Sequence, residues 1–186
     1  KTENSQGSVD FWIIKTDSLG NLLWENTIGG SYDDKLYSME QTIDGGYMLG
    51  GYSNSFISGD KTENGFGSSD FYVIKLDATG NIEWQNTIRG SSQEQLTSIL
   101  QTTDAGYVIS GRSSSNIFGD KTEDCFGGRD FWIMKLTDKY NLITGKVFID
   151  LNSNGIQDNG EPPLSAKKII EPNSGRFAFS EQNGNY

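Results

Sequence analysis

The stretch Asp150-Leu151-Asn152-Ser153-Asn154-Gly155-Ile156-Gln157-Asp158-Asn159-Gly160-Glu161 places oxygen-bearing side chains at alternating positions and ends on a carboxylate. Counting Asp150 as position 1, Asn152 and Asn154 fall at 3 and 5, Gly155 at 6, Asp158 at 9 and Glu161 at 12. This satisfies the calcium-loop pattern D-x-[DN]-x-[DN]-G-x5-E at every specified position. The spacing follows from what the ion needs. Ca2+ takes about six to eight hard oxygens, so a short loop must turn back on itself to supply them, and the glycine permits the sharp bend. Asp150, Asn152 and Asn154 would bind through side chains, Ile156 through its carbonyl, Asp158 directly or through water, and Glu161 through both oxygens. Mg2+ would demand a tighter octahedron. The alternative is a polar Asn-Gly hairpin that holds no metal.

Elsewhere the chemistry-bearing residues are sparse or scattered. The sequence has no histidine, which removes the usual general base and the commonest transition-metal ligand. Many carboxylates are present, but no spacing singles out an acid/base pair, and the arginines Arg89, Arg112, Arg129 and Arg176 form no cluster. No enzymatic activity is expected. With 25 acidic against 15 basic residues the net charge is -10, which argues against nucleic-acid or anionic-membrane partners and suits cations better. No apolar run reaches the length of a membrane span, and the single cysteine, Cys125, permits no internal disulfide. Two further series of oxygen donors, Asp60, Thr62, Asn64 and Asp120, Thr122, Asp124, begin like calcium loops but lack the closing glutamate; backbone capping is the simpler reading.

The elements that carry these residues repeat. Asp10-Phe11-Trp12-Ile13-Ile14-Lys15 returns as Asp70-Phe71-Tyr72-Val73-Ile74-Lys75 and as Asp130-Phe131-Trp132-Ile133-Met134-Lys135, 60 residues apart each time, and Lys-Thr-Glu at Lys1, Lys61 and Lys121 keeps the same interval. Each unit predicts four short strands; in the first they are 11–16, 22–28, 36–42 and 47–53. The second strand alternates, with Leu22, Trp24 and Ile28 opposed to Leu23, Glu25 and Thr27, so the tryptophans are core candidates. Asp17-Ser18-Leu19-Gly20-Asn21 and Asp77-Ala78-Thr79-Gly80-Asn81 read as tight hairpin turns, as do the segments around Asp44 and Asp104. Four hairpin-connected strands per repeat are the arithmetic of a β-propeller blade, with a β-solenoid as the second possibility. The small residues in Tyr47-Met48-Leu49-Gly50-Gly51 suit a crowded inner zone. On that frame, residues 36–88 form one blade and residues 96–136 three strands of the next, a fragment of a larger propeller. After Leu136 the pattern fails, and Thr144-Gly145-Lys146-Val147-Phe148-Ile149 predicts a strand leading into the calcium loop. Two domains follow: propeller repeats over 1–141 and a calcium-binding domain over 142–186.

Residues such as Asp70 to Asp77, Gly80-Asn81, Trp84 and Gln101-Thr102-Thr103-Asp104 resemble the 60-residue propeller-type repeats of large secreted bacterial surface proteins, often exported by type IX secretion. The turns at Asp44 and Asp104 resemble the aspartate boxes of sialidase propellers, in which the aspartate caps a hairpin and does no chemistry. Gly145 to Glu161 resembles the B-type repeats of serine-aspartate surface adhesins, where a calcium loop entered by a strand rather than a helix rigidifies a β-sandwich stalk. These resemblances imply an all-β chain of propeller blades followed by a partial β-sandwich with an EF-hand-like calcium loop. They also imply an extracellular or cell-surface location and a role in adhesion or presentation, with surface glycans or other extracellular proteins as partners. No membrane insertion and no oligomer are expected. The alternative is part of a carbohydrate-binding or carbohydrate-active propeller whose active site lies outside this sequence.

Overall fold

The computed structural model describes residues 1–137, 147–152, 157–170, 177–179 and 182, and among these residues every regular element is a β-strand. The chain divides into two compact units, Lys1–Asp138 and Lys139–Tyr186. The boundary expected at 141/142 lies outside the described residues.

The first unit runs β1 (Phe11–Thr16), β2 (Leu22–Ile28), β3 (Asp34–Gln41), β4 (Tyr47–Ser53), β5 (Asp70–Leu76), β6 (Ile82–Ile88), β7 (Glu94–Gln101), β8 (Tyr107–Ser113) and β9 (Asp130–Leu136). Sequential neighbours pair antiparallel in three sheets, β1-β2, β3-β4-β5-β6 and β7-β8-β9. The register repeats with the sequence: Tyr47 to Ser53 pairs with Leu76 to Asp70, and Tyr107 to Ser113 pairs with Leu136 to Asp130. The first strand of each larger sheet begins at an acidic residue, Asp34 or Glu94, rather than at the leucine two positions later. That extension is held by backbone bonds to the segment just before the Asp-Phe strand of the preceding sheet, Asp34 N to Val9 O at 2.6 Å and Glu94 N to Ser69 O at 2.9 Å.

The hairpins form for local reasons. Asp17 Oδ1 accepts from the amides of Leu19 and Asn21 at 2.9 and 2.8 Å, and Gly20 takes φ +86°. Asp77 repeats the device with Thr79 and Asn81 at 2.8 and 2.9 Å. At the other turn type Asp44 Oδ1 accepts from Gly46 N at 3.0 Å and from the Thr42 hydroxyl, which is a capping role. Ala105 replaces Gly45 in the following unit and still adopts φ +61°, a conformation costly for a residue with a Cβ.

Packing builds two cores on opposite faces of the central sheet. Phe71 and Val73, with Met48 and Ile88, pack against Leu96, Ile99, Tyr107 and Ile109 of the third sheet. Tyr72, Ile74 and Leu76, with Leu49, pack against Phe11, Ile13 and Ile28 of the first. Trp24 and Trp84 lie half-buried at the margins of these cores. Every residue of β5 is therefore buried, although strands with one solvated face alternate. The end sheets keep one face open. Phe131 is 93% exposed where its repeat counterpart Phe71 is fully buried, and Trp12 is 48% exposed where Tyr72 is buried. Close approach explains the glycines of β4: a Cβ on Gly51 would meet the Lys35 carbonyl oxygen at 1.8 Å, and one on Gly50 would meet Ile99 Cδ1 at 2.2 Å.

In the second unit, Phe148 forms an isolated antiparallel bridge with Pro163, flanked by Ile149 N to Pro162 O at 3.0 Å and Leu164 N to Val147 O at 2.8 Å. The described part of the expected strand over 144–149 is thus a single bridge; residues 144–146 lie outside the described residues. A short hairpin pairs β10 (Lys168–Ile170) with β11 (Phe177–Phe179). The turn expected over 183–186 is also outside them.

Candidate metal centre

Four of the six expected calcium ligands, Asp150, Asn152, Asp158 and Glu161, are described; Asn154 and Ile156 lie outside the described residues. The backbone bridge between Phe148 and Pro163 brings the two ends of the loop together. Glu161 closes it. Its side chain is 8% exposed in a segment otherwise open to solvent, and its two carboxylate oxygens accept from the amides of Leu151 and Asp158, each at 2.9 Å. Asn152 Nδ2 donates to Asp158 Oδ2 at 2.6 Å, and Glu161 N donates to Asp158 O at 3.2 Å. Positions 3, 9 and 12 of the pattern are therefore linked in one hydrogen-bonded chain.

Among the described residues no three Asp, Glu, Cys or His side chains converge as a metal cage. Glu161 places an oxygen on each end of the loop, and Asp158 Oδ2 accepts from the Asn152 amide. The donor set nonetheless fits a hard cation. Every group that the pattern uses offers oxygen, each carboxylate oxygen of Glu161 keeps a second lone pair, and the loop ends are already held within reach of one glutamate.

The incomplete calcium-like series in the first unit use their oxygens on backbone. Asn64 Oδ1 accepts from Ile57 N at 2.8 Å, Asp124 Oδ1 from Ile117 N at 2.9 Å, and Asp120 Oδ2 from Arg89 N at 2.8 Å. Asp60 faces Gly29 N at 3.4 Å and the Gln6 amide.

A second cluster has no counterpart in the sequence expectations. Asp34, Asp70 and Glu94 at the strand starts, and Lys61 of the Lys-Thr-Glu triplet, are all at most 1% exposed. Asp34 Oδ2 accepts from Gly30 N at 2.7 Å and Ser55 Oγ at 2.9 Å. Asp70 accepts from Gly90 N and Phe66 N at 3.0 and 2.8 Å, and Glu94 Oε1 from Ser113 Oγ and Ser115 Oγ at 2.8 and 2.5 Å. Lys61 Nζ donates to Thr87 Oγ1 at 2.5 Å and lies 4.2 Å from the centre of the Tyr72 ring, a cation–π contact. The 60-residue recurrence of the lysine and of the strand-start acid was the available signal. It marks the repeat, but charged residue types read as surface.

Burial raises the Asp70 carboxyl to about 7, against the pull of its two amide donors, and the neighbouring Glu94 adds to the rise. Burial likewise lowers Lys61 to about 8, with Asp34, Asp70 and Glu63 opposing. A carboxyl tuned near neutrality can mark a catalytic acid. Here the space beside it is about 10 Å³, too small for a substrate, so Asp70 is a loop clamp. The unfolded chain releases this proton near 3.8 and the folded chain holds it until about 7. Between those values the folded state binds more protons, so stability is fullest below the lower value and falls as pH rises through the upper one. Denaturation midpoints measured across this window are expected to drop with rising pH, and Asp70→Asn is expected to flatten the drop; an unchanged slope in the variant would assign it to other groups. Asp44 does not interfere: burial would raise it, yet hydrogen bonds from Thr42, Gly46 and Lys75 hold it down to about 2.

No protein-family model matches this sequence. Among curated proteins the chain is similar to a regulatory protein, FlaEY, of Caulobacter vibrioides, with 23% identity over 187 aligned residues. The match covers 88% of this chain and 20% of that protein, so the chain spans about a fifth of the length of the relative.

Proposed function

We propose that this chain is a non-enzymatic segment of an extracellular surface protein. In this reading the 60-residue repeats are blades of a β-propeller, and the second unit is a β-sandwich spacer stiffened by Ca2+ at Asp150, Asn152, Asn154, Ile156, Asp158 and Glu161. The segment serves adhesion or presentation, with surface glycans or extracellular proteins as partners. The observation that carries the reading is Glu161, buried in an exposed loop and bonded to both loop ends at the position where the calcium pattern calls for a bidentate glutamate. The antiparallel four-stranded sheet covered on both faces supports the blade assignment, because radial arrays bury successive sheets in this way.

The test is an array of extracellular glycans and matrix proteins probed with the chain in calcium and in chelator. Retention of a ligand without chemical change, stronger in calcium, is the expected result. Turnover of any arrayed glycan would overturn the non-enzymatic reading.

A further inference from the structure

Glu94 opens β7 with a carboxylate that is fully buried and half satisfied. Its Oε1 accepts from the hydroxyls of Ser113 and Ser115 at 2.8 and 2.5 Å, whereas its Oε2 is closed off from solvent and has no hydrogen-bond partner. An unpaired buried oxygen is costly, and more so when it carries charge. The acid 60 residues earlier shows the same condition. Asp34 is equally buried, its Oδ2 accepts from Gly30 N and the Ser55 hydroxyl, and its Oδ1 has no partner. Two different acids thus carry an unpaired oxygen at one position of the repeat.

At Glu94 the surroundings converge on a single glycine. Gly90 lies in the link between β6 and β7, and a Cβ there would stand 2.3 Å from Glu94 Oε2 and 2.5 Å from Ser115 Oγ. The Gly90 amide donates to Asp70 Oδ1 at 3.0 Å. Ser115 Oγ donates to Glu94 and accepts from Ser92 N at 2.8 Å, so this oxygen and Asp70 Oδ1 each keep a lone pair. No basic side chain neutralises the two acids directly. Lys61 is turned to Thr87 and the Tyr72 ring, Arg89 pairs with Asp120, and neither Asp70 nor Glu94 enters an ion pair among the described residues.

We propose that Glu94 Oε2, Asp70 Oδ1 and Ser115 Oγ hold a hard cation beside Gly90, of the class of Ca2+ and Na+. Such ions take oxygen ligands, and a buried charge is tolerated when it is paired or binds a metal. The donors come from β5, from β7 and from the segment after β8, so the ion ties the second sheet to the third. The site lies in the first unit and does not depend on the loop from Asp150 to Glu161.

The test is amide exchange on the full chain in choline chloride, with calcium chloride or sodium chloride substituted at matched ionic strength. A cation that binds only the folded state should slow exchange in residues 88–95 about tenfold at a tenfold excess over its dissociation constant. Peptides covering 147–164 report the separate calcium loop, so the two sites succeed or fail independently. Glu94→Gln keeps the size of the side chain and removes its charge. It is expected to lose the response at 88–95 and to retain any response at 147–164. Slowing in calcium alone, in sodium alone or in both supports the site and identifies the ion. Exchange at 88–95 unchanged by either salt in the unsubstituted chain, or an undiminished response in the Glu94→Gln chain, would overturn it.

Discussion

Tyr72→Ala is expected to destabilise the repeat unit by roughly 3–5 kcal/mol, the range for emptying a large aromatic site in a core. The ring is fully buried, with its centroid 5.7 Å from that of Phe11, and it carries the Lys61 ammonium on its face at 4.2 Å. Its hydroxyl donates to Gln85 Oε1 at 2.7 Å. Truncation therefore opens a cavity and also strips a buried cation of its π partner, and the second loss cannot be repaired by collapse of the neighbouring aliphatics. Tyr72→Phe separates the contributions. It keeps the cavity filled and the cation–π contact intact, and should cost about 1 kcal/mol for the lost hydrogen bond. Equilibrium denaturation of the two variants checks this. Equal losses would mean that the hydroxyl network, not the ring, secures the site.

Removal of calcium is expected to produce the second large effect, in the second unit. A ligand that binds the folded state alone stabilises it by mass action, about 2.7 kcal/mol at a hundredfold excess over the dissociation constant. Chelation should lower the melting temperature accordingly, and Asp150→Ala or Glu161→Ala should abolish the difference between calcium and chelator. Glu161→Ala should also lower the melting temperature in chelator, since it removes the acceptor of the Leu151 and Asp158 amides. Calorimetric titration supplies the direct check: calcium heats unchanged in either variant would remove these residues from the site.

Much of the strand pattern was legible because it rests on short-range chemistry. Period-two alternation around Trp24 and Trp84 and the Asp-x-x-Gly-Asn turns need only neighbouring residues, and β1, β2 and β4 fall where those signals place them. The starts of β3 and β7 were missed by two residues because they depend on a bridge to a distant loop, Val9 with Asp33 and Ser69 with Gln93. The buried charges were illegible for a related reason. Lys61 and Asp70 are surface residue types, and only a covering sheet and a loop returning from elsewhere in the chain take them out of water. At the proposed calcium loop the donor pattern was plain in the sequence. What it did not contain is the part played by Glu161 as the acceptor that closes the loop, because that depends on where the amides of Leu151 and Asp158 point.

The burial of β5 on both faces has a thermodynamic corollary. Alternate residues of one strand serve two different cores, Phe71 and Val73 in one and Tyr72 and Ile74 in the other. In arrays of repeats the coupling between units is commonly assigned to the interface between neighbours. Here it also runs through a single backbone segment that both cores must hold straight. Damage to either core loosens the other, so paired substitutions such as Phe71 with Tyr72 should depart from additivity, and the three sheets melt as one cooperative block rather than peeling away in sequence.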